Sequence, residues 1–265
     1  MPKTDLNQML KLFKISLQAE ETPILSIPMT DMVQASHMTR FVEIYAPMIQ
    51  ALEPGAAATS FGGWFGFLTA GLHYFLSVRN TTIDLSLRNL TVQLYPVGPH
   101  HRFAFHLDDF HEMAGPVDGA QRQAWRKQVL ETFYAATVRP LFTALSKAAN
   151  ISIGQLWGQL PIKVAMGMER FSVGADARTS QTLADDYQCL RTELDASVFG
   201  LKRNPFAVQM RKIESEASPH QLVYMKTACC LDHCRVGGAY CFTCPRISES
   251  TREVRREAFR AAQAQ

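Results

Sequence analysis

The chain has 265 residues, 47% hydrophobic and 19% charged, with 27 Lys and Arg against 24 Asp and Glu for a formal net charge of +3. That is ordinary globular composition, enough for one large or two modest domains, and it argues against disordered and fibrous architectures. A surplus this small, spread along the chain, also argues against a general nucleic-acid-binding surface.

The opening residues, MPKTDLNQMLKLFK, set Lys3, Asp5, Lys11 and Lys14 where a secretory signal needs an unbroken apolar run. No export signal is read, and a cytoplasmic protein is expected. From Asp5 to about Gln18, Leu6, Met9, Leu10, Phe13 and Leu17 recur at helical spacing, and Asp31 to Leu52 repeats the pattern. Pro54-Gly55 closes the second helix. Phe61 to Val78 holds no Lys, Arg, Asp or Glu, a length near the lower limit for crossing a bilayer. Its glycines, His73 and Ser77 favour a buried core helix ending near Arg79-Asn80, with peripheral contact at the inner membrane as the alternative.

The period then changes. Leu90 to Tyr95 and Arg102 to Leu107 alternate around Pro96, Gly98 and Pro99, a hairpin signal. Asp118 to Ala149 reads as a long helix with Trp125, Val129, Phe133, Ala136, Leu141 and Leu145 on one face, kinked or broken at Pro140. Further helices are expected from Ser152 toward Phe171 and from Thr179 to Phe199. Asn204-Pro205 marks an extended connection, His220 to Thr227 a strand, and Glu249 to Ala262 a charged helix. The expected class is α+β, mainly helical with a small antiparallel sheet, divided into a scaffold over 1–204 and a cysteine module over 205–265.

Two other constellations invite a functional reading. His100, His101, His106 and His111 with Asp108, Asp109 and Glu112 resemble a metal set, but His101 and His106 face opposite ways on one regular strand, so hairpin packing is expected. Trp64, Trp125 and Trp157 lie in apolar helical patterns and read as core.

Cys229, Cys230, Cys234, Cys241 and Cys244 fall in the string ACCLDHCRVGGAYCFTCP, and only Cys189 lies elsewhere. In a reducing compartment clustered thiols read as metal ligands or redox groups before disulfides. Four thiolates in the pattern C-C-x10-C-x2-C suit an iron-sulfur cluster or zinc, and unligated redox thiols remain a third reading. The tight turn of Cys241-x2-Cys244 aims both sulfurs one way. The adjacent pair converges only where the chain bends, because successive residues of a strand point to opposite faces.

This string, approached through Lys226-Thr227-Ala228, resembles the C-terminal signature of FhuF-type ferric-siderophore reductases. The stretch Thr82-Ile83-Asp84-Leu85-Ser86-Leu87, the triplet Leu156-Trp157-Gly158 and Asn204-Pro205-Phe206 are similar to that family's other segments. The resemblance implies a 2Fe-2S cluster on Cys229, Cys230, Cys241 and Cys244, with Cys234 as an alternative ligand. It implies an oxidoreductase that reduces siderophore-bound Fe3+, of hydroxamate type, and releases Fe2+, with no catalytic residue beyond the cluster. Each tenfold preference of the chelator for ferric over ferrous iron lowers the potential by about 59 mV, and iron-sulfur clusters reach about −700 mV. Because Gly62-Gly63-x2-Gly66 sits inside an apolar helix, no nucleotide loop is read. Electrons are expected from a ferredoxin, a flavodoxin or a reductase. A noncatalytic zinc-stabilised domain that binds a siderophore or a protein is the alternative. The arginines of the terminal helix read as a solvated, salt-bridged face, or more sharply as a docking surface through Arg255 and Arg256. His233 reads as an exposed loop histidine.

Overall fold

The computed structural model describes residues 6–218 and 220–263. The first expected helix is cut short: α1 spans Leu6–Leu12, and Lys14, in the left-handed conformation, turns the chain into the short strand β1, Ile15–Ser16. Asp5 lies outside the described residues. β2 (Leu25–Pro28) and the single turn α2 (Met29–Met32) precede α3 (Ala35–Met48). The sequence reading had joined α2 and α3 into one helix and placed no strand before the hairpin.

α4, Pro54–Tyr74, begins with proline, whose missing amide proton is no loss in a first turn. It is the centre of the molecule. Phe65, Ala70, Gly71 and His73 are buried on several sides of it, as expected of a helix that is apolar all round. Among the described residues no helix is long and apolar enough to cross a membrane. A π-helical turn, Phe75–Arg79, continues α4 to Asn80, close to the expected end.

The strands β4 (Leu90–Val97) and β5 (His100–Leu107) form the expected hairpin, paired from Leu90 with Leu107 to Val97 with His100. They lie inside a four-stranded sheet of order β1-β5-β4-β2, in which β1 runs parallel to β5 and β2 antiparallel to β4. The sheet is therefore mixed. Phe103 and Phe105 pack edge-on or tilted against Phe61, which joins the sheet to α4. β3 (Thr81–Ile83) and β6 (Glu112–Ala114) make a second, two-stranded sheet.

Pro140 does not break the long helix. α5 (Gly119–Thr132) passes through a π-helical stretch, Phe133–Val138, into α6 (Arg139–Ala148), where Pro140 sits in a first turn. The π stretch shifts the buried face. Phe133, Tyr134, Thr137, Val138 and Leu141 turn inward and Ala136 is exposed, because a wider turn advances the residue phase. α7 (Ile153–Trp157), α8 (Leu160–Ser172) and α9 (Ala177–Thr192) complete the helical layer. Trp157 is fully buried among Tyr134, Phe142 and Phe199. Trp64 and Trp125 are only half-buried, and Trp125 lines a cavity of about 600 Å³ with Leu72, Asp84 and Phe133.

The Asn204 amide holds the chain after α9 by bonding the Leu190 and Leu194 carbonyls, and Phe206 enters the aromatic core against Tyr134. β7 (Lys212–Glu214) and β8 (Leu222–Tyr224) form a small hairpin before the cysteines, and α10, Glu249–Gln263, follows them.

Candidate cysteine site

Beyond β8 the chain is fastened to the helical core residue by residue. The Thr227 hydroxyl donates to the Gly158 carbonyl at 2.6 Å. Any side chain at Gly158 would collide with Ala228, its Cβ falling 2.4 Å from that residue's. The carbonyl of Cys229 accepts from the amides of Gln155 and Gln159, and that of Cys230 from the buried Thr59 hydroxyl of α4 at 2.7 Å. Both adjacent cysteines are thus positioned by side chains far away in sequence.

The adjacent pair does not converge on one point: Cys229 faces Cys244 and Cys230 faces Cys241, and the chain turns only after them. Leu231 adopts the left-handed region at φ 55°, and a 3-10 turn, Asp232–Cys234, follows. The loop then runs beside the α3–α4 connection, with Leu52 donating to Cys234 at 2.8 Å and Val236 donating to Gln50 at 2.9 Å. The Arg235 guanidinium bonds the Ile49 carbonyl and Asp232. At Gly238 an added Cβ would lie 2.0 Å from the Asp232 carbonyl oxygen, so the return of the loop requires glycine. Cys241 and Cys244 close a turn, Cys244 donating to the Cys241 carbonyl at 2.9 Å.

The sulfurs gather in two pairs. Cys229 and Cys244 Sγ are 3.8 Å apart, and Cys230 and Cys241 Sγ are 4.0 Å apart. Among the described residues no group of three or more His, Cys, Asp or Glu side chains is gathered tightly enough to hold one metal ion. Lys226 Nζ donates to Cys230 Sγ at 2.9 Å. The contact with Cys241, helped by Lys226 and the Asp232 amide and opposed by burial, lowers the Cys230 thiol to about 5. Its hydrogen bond to Cys230, with burial, pushes Cys241 up. Burial raises Cys229, against the Leu231 amide.

Cys234 stands apart. Its sulfur lies 3.5 Å from His233 Nε2, and its pKa is raised by burial and by Glu53. His233 is not a free loop residue: its ring stacks on Tyr240 at 4.1 Å between centroids, and its Nδ1 lies 3.9 Å from Cys229 Sγ. The arginines of α10 also differ from the solvated face expected. Arg252 and Arg256 are 4% and 3% exposed. Arg252 bonds the carbonyls of Phe242 and Cys244, clamping the Cys241–Cys244 turn, and Arg256 pairs with Glu249 and Glu253. Arg256 is therefore internal and is no docking residue. Of the histidine constellation, His106 pairs with Asp108 and His111 with Asp109, while Glu112 bonds Arg79.

Thr59, Gln155 and Gln159 escaped the sequence reading, and Arg252 was read only as part of a solvated face, because their partners are main-chain carbonyls, which leave no mark on spacing or residue type. Lys226 was visible only as part of a motif. Compared with models of known families and with curated proteins, the chain matches none.

Proposed function

We propose that the chain is a ferric-siderophore reductase, passing one electron to siderophore-bound Fe3+ by way of a 2Fe-2S cluster on Cys229, Cys230, Cys241 and Cys244. The observation that carries this reading is the grouping of the thiols as two pairs. A single tetrahedral ion with metal–sulfur bonds of about 2.3 Å would draw all four sulfurs to about 3.8 Å of one another. A two-iron centre instead takes two thiolates on each iron, and the donor set fits it. Bound there, such a cluster supplies a one-electron reductant whose potential is tuned by hydrogen bonds to its sulfurs.

The chain's own groups supply the rest. Lys226 and the Asp232 amide offset thiolate charge at Cys230. Thr59 and Gln159 hold the cysteine carbonyls from inside the core. One electron leaves a ferredoxin, flavodoxin or reductase, Fe3+ gains it, and Fe2+, poorly held by hard oxygen donors, departs. On this reading the work is done in the cytoplasm.

Anaerobic purification followed by iron, sulfide and zinc analysis tests the proposal. Iron and acid-labile sulfide in equal amounts are expected, and dithionite-reduced protein is reoxidised by a ferric hydroxamate as Fe2+ appears in a chelator trap. Stoichiometric zinc without sulfide overturns it and leaves the zinc-stabilised binding domain.

A further inference from the structure

One stripe of α4 links the cysteines to an unusual cationic surface. Thr59, Gly63 and Phe67 follow one another at intervals of four and so share a face. Thr59 bonds the Cys230 carbonyl. A side chain added at Gly63 would meet nothing within 4 Å, so the helix is bare there. Phe67 lies beneath two ammonium groups, Lys163 Nζ at 4.2 Å and Lys14 Nζ at 5.2 Å from its centroid, and Lys14 also lies 5.6 Å from the ring of Trp64. At about 1.5 Å per residue, Phe67 is about 12 Å along the helix from Thr59.

These lysines are costly where they stand. Among the described residues neither Lys14 nor Lys163 has a carboxylate partner in an ion pair, although twelve Lys or Arg pairs occur elsewhere. Burial, and after it the charges of Lys226 and Lys14, lower the pKa of Lys163, and burial and Arg102 lower that of Lys14. Lys226 in turn touches Cys230. The cations therefore form one repelling group that reaches from the Trp64–Phe67 surface to the thiols. The cleft beside Lys14 and Arg102 holds one carboxylate, Glu20. Lys14 is held in place by its left-handed backbone and by its carbonyl, which accepts from Phe105 at 2.7 Å. Cations held over aromatic faces with no carboxylate paired to them among the described residues form a prepared anion site, since a bound anion relieves their mutual repulsion.

We propose that the open face of α4 at Gly63, Trp64 and Phe67, bordered by Lys14, Lys163 and Lys226, docks a negatively charged ferric chelate against the Cys230 side of the thiol group. The proposal rests on the reductase reading and narrows its substrate class from siderophores in general to anionic chelates. The aromatic rings receive the organic backbone of the chelate, the ammonium groups its carboxylates or anionic oxygens.

Binding of a redox-inert gallium(III) complex separates docking from electron transfer. The probe is a linear trihydroxamate in two forms, one with its terminal amine free and cationic, the other with that amine succinylated and anionic. Titration of the full-length protein, followed by Trp fluorescence and calorimetry at low salt, is expected to show the anionic form binding about tenfold tighter or more, a difference of about 1.4 kcal/mol. Lys14→Glu and Lys163→Met abolish that preference. Gly63→Leu adds a Cβ that meets nothing within 4 Å and replaces a helix-interior glycine; with its fold checked by circular dichroism, it loses both forms. Equal affinity of the two forms for the native protein, a preference that survives Lys14→Glu, or native binding by Gly63→Leu each overturns the proposal. Because gallium is not reduced, these outcomes stand whether or not the iron and sulfide analysis supports the reductase.

Discussion

The region around α4 and the segment from Lys226 to Gln263 are held together by different forces. In the first, Phe61, Phe65, Phe105, Phe142 and Trp157 are completely buried and meet one another mostly edge-on, so hydrophobic burial and aromatic packing dominate. In the second, the described residues that are buried are two thiols, Cys229 and Cys244, and two guanidinium groups, Arg252 and Arg256. That segment has no apolar core of its own. It is fastened by side chains that bond carbonyls, and on the proposed reading a cluster would add the remaining hold, as in small metal-organised modules.

The contrast breaks most sharply at the thiols. Cys241→Ser is expected to abolish iron and sulfide binding and ferric reduction, and to strip hydrogen-exchange protection from residues 226–263 while α4 stays protected. Cys234→Ser leaves both properties intact. Uniform loss of protection after Cys241→Ser would mean that the two regions unfold as one.

The reverse experiment attacks the core. Asp186 is fully buried and receives Arg122 at 2.8 and 2.7 Å and Arg126 at 3.3 Å, tying α9 to α5. Asp186→Ala leaves Arg122 without a carboxylate and Arg126 with only the longer contact to Glu193 at 3.4 Å, and should cost about 3 kcal/mol in denaturant unfolding, with the visible spectrum of the cysteine site unchanged. A spectrum that moved with stability would show the site to depend on core packing at long range.

Acid should also act on the core first. His73, buried in α4, bonds the Tyr134 hydroxyl through Nε2 at 2.9 Å, and burial, opposed by Asp186, lowers its pKa to about 4. The unfolded chain protonates this imidazole near pH 6.5, so its contribution is complete above that value and is lost as pH falls toward about 4. The loss amounts to about 3 kcal/mol. The shifted carboxylates, Glu112, Glu169, Asp176, Asp195 and Glu249, have pKa values below their ordinary range and lose their stabilisation at lower pH. His73→Gln should flatten unfolding free energy between pH 6.5 and 4.5. An unchanged slope would place the acid-sensitive group elsewhere.

The two regions were also unequally legible. In the core, periodicity located α4, the hairpin and most helices because one buried face repeats along each. It failed at Ala136, where the π stretch changes the phase, and at β1 and β2, which are too short for a period to show and are defined by partners distant in sequence. In the tail, Cys229, Cys230, Cys241 and Cys244 stood out by residue type, and the structure brings them together as pairs. The left-handed Leu231 that turns the loop after the adjacent cysteines could not be read, since leucine carries no preference for that conformation. Nor could the burial of Arg252 and Arg256: charged residues four apart describe a solvent face equally well.

Lys226 tests the junction between the regions, with the smallest effect. Its ammonium, 2.9 Å from Cys230 Sγ, keeps its proton against the cost of burial because the sulfurs of Cys230 and Cys241 raise its pKa. A positive charge there favours the reduced, more negative state of a bound cluster. Lys226→Met should therefore lower the reduction potential, on the order of 100 mV at the effective dielectric of a partly exposed site. Lower potential gives more driving force, so an amine-terminated ferric chelate should be reduced no more slowly by the variant. The succinylated chelate should be reduced more slowly, since it loses one of its docking cations. An unmoved potential would remove Lys226 from the sulfur. Equal slowing of both chelates would instead assign it to the electron-transfer step and not to charge selection.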